Sequence, residues 1–94
     1  MTRTIAVVGA TGAVGARMLE VLEERDFPHD EIRLVASERS AGRELNFRGK
    51  AHKVLAISPE VFDGVDIALF SAGGGISQKF AAVAVKAGAV VVDN

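Results

Sequence analysis

The apolar positions change period several times along the 94 residues. Thr4–Val8 is a short β-branched apolar run that stops at Gly9, the pattern of a buried strand. From Ala13 to Arg25 the period lengthens. Val14, Met18, Val21 and Leu22 fall on one helical face, with Arg17, Glu20, Glu23 and Glu24 mainly on the other. Asp26, Phe27 and Pro28 end that helix, because the residue before a proline avoids the helical region. After a polar turn over His29–Glu31, Ile32–Ala36 predicts a second strand.

Glu44–Ile57 reads as a hairpin: Leu45 and Phe47 alternate with polar neighbours, Gly49-Lys50 supplies the turn, and Val54–Ile57 returns. Ser58-Pro59-Glu60 starts a helical turn, with serine as cap and proline in its first position. Asp63-Gly64 turns the chain into Val65–Phe70, a strongly apolar strand broken by Gly73–Gly75. Ile76, Phe80, Val83, Ala84 and Ala87 define a second helix closed by Gly88. Ala89–Val92 reads as a last buried strand, central in its sheet.

Strands alternating with helices, and apolar along their whole length, predict an α/β fold. It is a Rossmann-like, mostly parallel sheet with helices on both faces, plus a small β-hairpin. The chain is long enough for one domain. At that size roughly 60–65% of the unfolded surface is buried, so stability is expected to be marginal. Apolar residues make up 49%, charged residues 24%, and the net charge is −1. That balance argues against nucleic acid or an anionic membrane as the main partner. Cysteine is absent, which removes disulfides, thiolate metal sites and a thiol nucleophile from these residues. The N-terminus lacks the apolar core and cleavage site of a secretory signal. No segment approaches the ~20 apolar residues of a membrane span. A cytoplasmic location is the expectation.

Chemistry enters with the glycine loop. Gly9-Ala10-Thr11-Gly12-Ala13-Val14-Gly15 follows the first strand and opens the first helix, with the spacing G-x-x-G-x-x-G of a dinucleotide-fingerprint variant. Gly9 allows a tight turn. Gly12, without a β-carbon, lets a pyrophosphate approach the backbone, and Gly15 lets the helix sit close to the strand. The amides of Thr11–Val14 and the positive end of the helix dipole then face the anion. Glu20 is the first carboxylate of the helix, so that positive end is left for a ligand.

The tip of the second strand bears on cofactor choice. Dinucleotide folds place an acid there for the ribose hydroxyls, or an arginine for a 2′-phosphate. Glu38 could be that acid. Arg39 could instead grip the phosphate in a two-pronged contact, with Ser37 and Ser40 donating to it. The position of Arg39 at the strand tip favours the second reading and hence NADP. Arg39, Arg43, Arg48, Lys50 and Lys53 set five cations against one acid, Glu44. Of these, Arg48, Lys50 and Lys53 read as a solvated hairpin surface. Ser71–Gly75 form a second glycine cluster where a strand ends, either a close approach to a ligand or a flexible loop. His29 and His52 read as solvated, and no cluster has metal-ligand spacing.

The runs VVGATGAVG, LEERDFP, LVASERSAG, DIALFSAGG and AGAVVVDN resemble the bacterial aspartate-semialdehyde dehydrogenases in order and spacing. The resemblance covers essentially the whole chain, and SERSAG, FSAGG and VVDN are its specific parts. It implies that residues 1–94 are an incomplete NADP-binding domain, with the catalytic and dimerisation domain absent. It carries Thr11, Gly12, Ala13 and Val14 over as the pyrophosphate loop, and Arg39 and Ser40 as 2′-phosphate ligands. Ser71, Ala72 and Gly73 match the segment that runs alongside the cofactor. Asn94 opens an asparagine-rich loop leading to a substrate-phosphate arginine.

The resemblance also implies an activity: reductive dephosphorylation of aspartyl phosphate to aspartate semialdehyde, a step towards lysine, threonine and methionine. A cysteine, a histidine and an arginine beyond this chain would carry the chemistry in a homodimer or tetramer, leaving this chain alone inactive. Phe80–Lys86 departs from the family's usual proline-containing helix start, which touches helix geometry rather than ligand residues. Three other readings are an N-acetyl-glutamyl-phosphate reductase-like domain, an atypical short-chain reductase-like domain, and a non-catalytic NADP-binding sensor.

Overall fold

The computed structural model describes residues 3–25, 31–71 and 74–93, without the side chains of 74–77 and 93. The elements are β1 (Thr4–Val8), α1 (Ala13–Glu24), β2 (Glu31–Ala36), β3 (Glu44–Phe47), β4 (Lys50–Lys53) and β5 (Leu55–Ala56). A 3₁₀ turn (Pro59–Phe62), β6 (Ile67–Phe70), α2 (Gly74–Lys86) and β7 (Val90–Asp93) follow. The main sheet has five strands in the order β5-β2-β1-β6-β7, all pairs parallel. The α/β class and the separate hairpin are as the sequence predicts. The turn over Asp26–Pro28 and the placement of His29 lie outside the described residues.

β1 sits at the centre and is buried on both faces. Ile5 and Val7 join one apolar cluster with Leu19, Leu22, Ile32, Leu34, Phe47 and Val54. Ala6 and Val8 join the other with Val35, Phe62, Ala68, Phe70 and Ala84. Strand side chains alternate between faces, so only an unbroken apolar run fills both layers.

The handedness of parallel crossovers assigns the connections to these layers. Such crossovers are nearly always right-handed. β1→β2 and β2→β5 step one way across the sheet, and β5→β6 and β6→β7 step the other way. α1 and the β3–β4 hairpin therefore share one face, where Leu19 and Phe47 belong to one apolar cluster. The 3₁₀ turn and α2 share the opposite face, where Phe62 packs flat against Phe70 with ring centroids 5.9 Å apart. The α1 side of β6 and β7 is left without cover by these elements. Val90 and Val92 there are 63% and 47% exposed. A groove of about 580 Å³ runs between α1 and Leu69, lined also by Ala13, Val14, Arg17, Met18, Val21 and Leu22.

Several expectations change. The hairpin closes at Arg48-Gly49, not Gly49-Lys50, and its returning strand is Lys50–Lys53 rather than Val54–Ile57. Both turn residues have positive φ, 54° and 79°, as the tight two-residue hairpin turns require. Val54 closes the hairpin base by donating its N–H to the Arg43 carbonyl at 2.7 Å. Leu55–Ala56 then joins the main sheet beside β2.

The buried line of α1 is Gly15, Leu19 and Leu22, while Val14 is 44% exposed. Contact between Gly15 and the end of β1 sets that line and rolls Val14, Met18 and Val21 towards the groove. Ser58 precedes the 3₁₀ turn without a side-chain cap bond. β6 begins only at Ile67: just before it the Thr4 N–H donates to the Asp66 carboxylate at 2.7 Å instead of to a strand carbonyl, although the Asp66 N–H still reaches the Thr4 carbonyl at 2.9 Å. Among the described residues β7 pairs on one side, with β6, so within this sheet it lies at the edge with one covered face rather than in the centre.

Candidate nucleotide-binding site

The parallel register brings the carboxyl ends of β1, β2 and β6 together: Val8 pairs with Val35 on one side and Phe70 on the other. The loops that leave these ends meet at one lip of the sheet, where open α/β folds bind ligands.

The glycine loop is the centre of this lip. Gly9 takes φ 88°, a conformation that costs other residues strain. Its N–H and that of Ala10 both donate to the Val35 carbonyl, at 2.7 and 3.1 Å. The Gly12 N–H donates to the Gly9 carbonyl at 3.0 Å, and the Ala16 N–H to the Gly12 carbonyl at 2.9 Å. Gly15 is required by packing: a Cβ there would overlap the Gly9 carbonyl oxygen and lie 2.8 Å from Ala10 Cα. Gly12 has extended angles, φ −81° and ψ 169°, so its value is not a positive φ. It is exposed, and an added Cβ would sit over the loop 3.4 Å from the Gly9 carbonyl oxygen.

α1 starts without a side-chain cap and without an acid in its first turn. The first N–H groups of a helix have no acceptor inside it, so those of Ala13, Val14 and Gly15 and the dipole's positive end are available to an anion. Thr11 is half-buried and Ala13 exposed beside them. Arg17, the one cation of α1, donates to Glu20 at 2.8 Å and lies 3.7 Å from Glu24. The Glu20 hydrogen bond, and then the charge of Glu24, hold its pKa above the ordinary arginine value. With Arg17 engaged by these acids, the donors that the start of α1 presents are backbone amides.

At the tip of β2 the chain makes a compact turn, in which the Ser40 and Ala41 N–H groups donate to the Ser37 carbonyl at 3.0 and 3.1 Å. Ser37, Glu38 and Arg39 are exposed and Ser40 is half-buried. Ion pairs among the described residues join Arg17 to Glu20 and Glu24, and Arg33 to Glu31. Arg39 takes part in none of these.

Ser71, at the end of β6, is half-buried, and its hydroxyl donates towards the Val8 and Gly9 carbonyls at 2.9 and 3.2 Å. Ala72, Gly73 and Asn94 lie outside the described residues. Of the hairpin cations, Arg48, Lys50 and Lys53 are exposed, and the Arg48 N–H donates to the Glu23 carboxylate at 2.9 Å. His52 is half-buried with its ring edge-on to Phe47 at 6.2 Å. No group of three metal-ligating side chains occurs among the described residues.

These features fit a dinucleotide: an exposed glycine where a phosphate would approach, uncapped helix amides, and a cation with two hydroxyls on the neighbouring strand tip. Sequence reasoning missed the Ser71 and Val35 braces. A contact spanning 62 residues leaves no periodic trace, and a serine at a strand end is a common event.

The comparisons with known proteins agree with the geometry. The family described as "Semialdehyde dehydrogenase, NAD binding domain" matches residues 4–94. An aspartate-semialdehyde dehydrogenase of Bacillus subtilis is 57% identical over 90 residues, covering 96% of this chain and 26% of the relative. One from Campylobacter jejuni is 54% identical over 92 residues, covering 96% of this chain and 27% of the relative. The crystal structure of aspartate semialdehyde dehydrogenase II from Vibrio cholerae, complexed with ASA, superposes with a TM-score of 0.94 at 52% identity. It covers 100% of this chain and 31% of that one. The chain thus spans about a quarter to a third of the length of these relatives.

Proposed function

The chain belongs to the family of semialdehyde dehydrogenase NAD-binding domains, and from that premise we propose that it binds NADP for an aspartate-semialdehyde dehydrogenase. Within this reading the bound nicotinamide supplies a hydride donor or acceptor. The residues of this chain hold and orient it.

Thr11, Gly12, Ala13 and Val14 face the pyrophosphate. Gly9 and Gly15 shape the loop that presents them. Arg39 meets the 2′-phosphate with a two-pronged, charge-assisted contact, and Ser40 and Ser37 add donors. Glu38 turns its carboxylate away from that phosphate. Ser71, Ala72 and Gly73 run alongside the cofactor, and Asn94 leads towards the substrate.

Residues 1–94 are the dinucleotide-binding part of this enzyme. A catalytic and dimerisation part outside them would take aspartyl phosphate and return aspartate semialdehyde, in a cytoplasmic homodimer or tetramer. The names of the relatives support that assignment.

The observation that carries the proposal is the uncapped, acid-free start of α1 behind an exposed glycine. Calorimetric titration with NADPH and NADH tests it. Saturable binding with NADPH tighter is expected. Tighter NADH would move recognition to Glu38 and the ribose hydroxyls, and binding of neither would sink the proposal.

A further inference from the structure

We infer that the Ser71 hydroxyl is a positioning group for the glycine loop, locking the Gly9 carbonyl so that the loop keeps its phosphate-facing shape. The inference rests on the nucleotide-binding reading and assigns Ser71 Oγ a task other than touching the cofactor.

The Gly9 carbonyl is the hub of the loop. Its oxygen accepts the Gly12 N–H at 3.0 Å, and it is the atom against which Gly15 packs. The peptide bearing it follows a glycine at φ 88°, where the backbone has the most torsional freedom. What stops this peptide from turning is what its two ends touch. The Ala10 N–H end is held from β2, by the Val35 carbonyl at 3.1 Å. The carbonyl end is reached from β6 by Ser71 Oγ at 3.2 Å. The two strands flanking β1 therefore grip opposite ends of one peptide. Without the hydroxyl, the holds that remain among the described residues are the β2 side and the loop's own Gly12 bond.

The same geometry tells against Ser71 Oγ as a phosphate ligand. A hydroxyl has one proton, and this one lies between the Val8 and Gly9 carbonyls at 2.9 and 3.2 Å. What remains on the oxygen is lone pairs, which repel phosphate oxygens. The Ser71 N–H is also committed, to the Val8 carbonyl at 2.9 Å. Ser71 acts through Gly9.

The test compares the wild-type chain, Ser71→Ala and Ser71→Thr by NADPH titration, thermal melting and amide hydrogen exchange. Ser71→Ala should weaken NADPH about two- to tenfold, the factor for one net hydrogen bond. It should also speed exchange of the Gly12 amide while β1 amides stay protected. Ser71→Thr, which keeps the hydroxyl, should restore both to within about twofold of wild type. Unchanged affinity and exchange in Ser71→Ala would overturn the inference. So would equal losses in both variants, or a melt so lowered that β1 protection goes too, which would make Ser71 a residue of the fold. If the wild-type chain binds neither NADPH nor NADH, the functional reading falls. The exchange of the Gly12 amide then decides the brace by itself, supporting it if Ala speeds exchange and Thr restores it, and overturning it otherwise.

Discussion

Single residues divide the site into backbone and side-chain parts, and the two parts should fail differently. Gly12→Val should leave the chain folded and abolish dinucleotide binding, because the branched side chain stands over the loop where a pyrophosphate would approach. Circular dichroism checks the first half and calorimetry the second; unchanged affinity would refute the role of Gly12. Gly15→Val should instead lose the fold, since even a Cβ there overlaps the Gly9 carbonyl oxygen. Arg39→Ala should weaken NADPH about ten- to a hundredfold, the value of a hydrogen bond to a charged group being on the order of 1.5–3 kcal/mol. NADH, without the 2′-phosphate, should be unaffected. Because Arg39 is exposed, added salt should narrow the NADPH preference. Equal losses for both cofactors would make Arg39 a structural residue.

Elements carry the next set of consequences, above all β7. Its register against β6 pairs Val91 with Ala68 and Val92 with Leu69. Val91 packs against the α2-side cluster, whereas Val92 is exposed. Val91→Lys should therefore cost about 2 kcal/mol or more, and Val92→Lys within about 0.5 kcal/mol. Urea unfolding of the two variants measures the difference, and equal costs would mean that the facing of β7 is misassigned. The run Val90-Val91-Val92 announces a strand, but nothing in three identical residues says which of them faces the core. In α1 the same limit appears. Its helical period is legible, yet the buried line runs through Gly15 and Leu19 instead of Val14, because the close approach to β1 sets the helix rotation.

At the scale of the whole molecule, binding and stability are linked. A ligand that binds only the folded state stabilises it by about 2.7 kcal/mol at a concentration a hundred times its dissociation constant. NADPH should raise the melting temperature of this small chain, and a melt unmoved by saturating NADPH would contradict binding to the folded state. The chain alone should not turn over aspartate semialdehyde with NADP and phosphate, since acyl transfer through a covalent intermediate needs an activated nucleophile near a base and cysteine is absent. Turnover by rigorously purified chain would refute that expectation.

The α/β class, the strand–glycine loop–helix unit and the arginine at the tip of β2 are all legible along the chain. Each is written in local terms: a period of apolar residues, a glycine spacing, a neighbouring charge. Local rules do not say how far a hairpin extends when the next residues can pair elsewhere. The Glu44–Ile57 segment therefore divides, with Leu55–Ala56 joining β2. They also do not say which atoms meet across the sheet. Three outcomes come from the assembled fold instead: contacts from the β2 and β6 sides meet at one peptide of the loop, Gly12 has ordinary backbone angles, and β7 shows one apolar face to solvent. Those outcomes depend on crossover handedness and on register between strands distant in sequence, which exist only once the sheet has assembled.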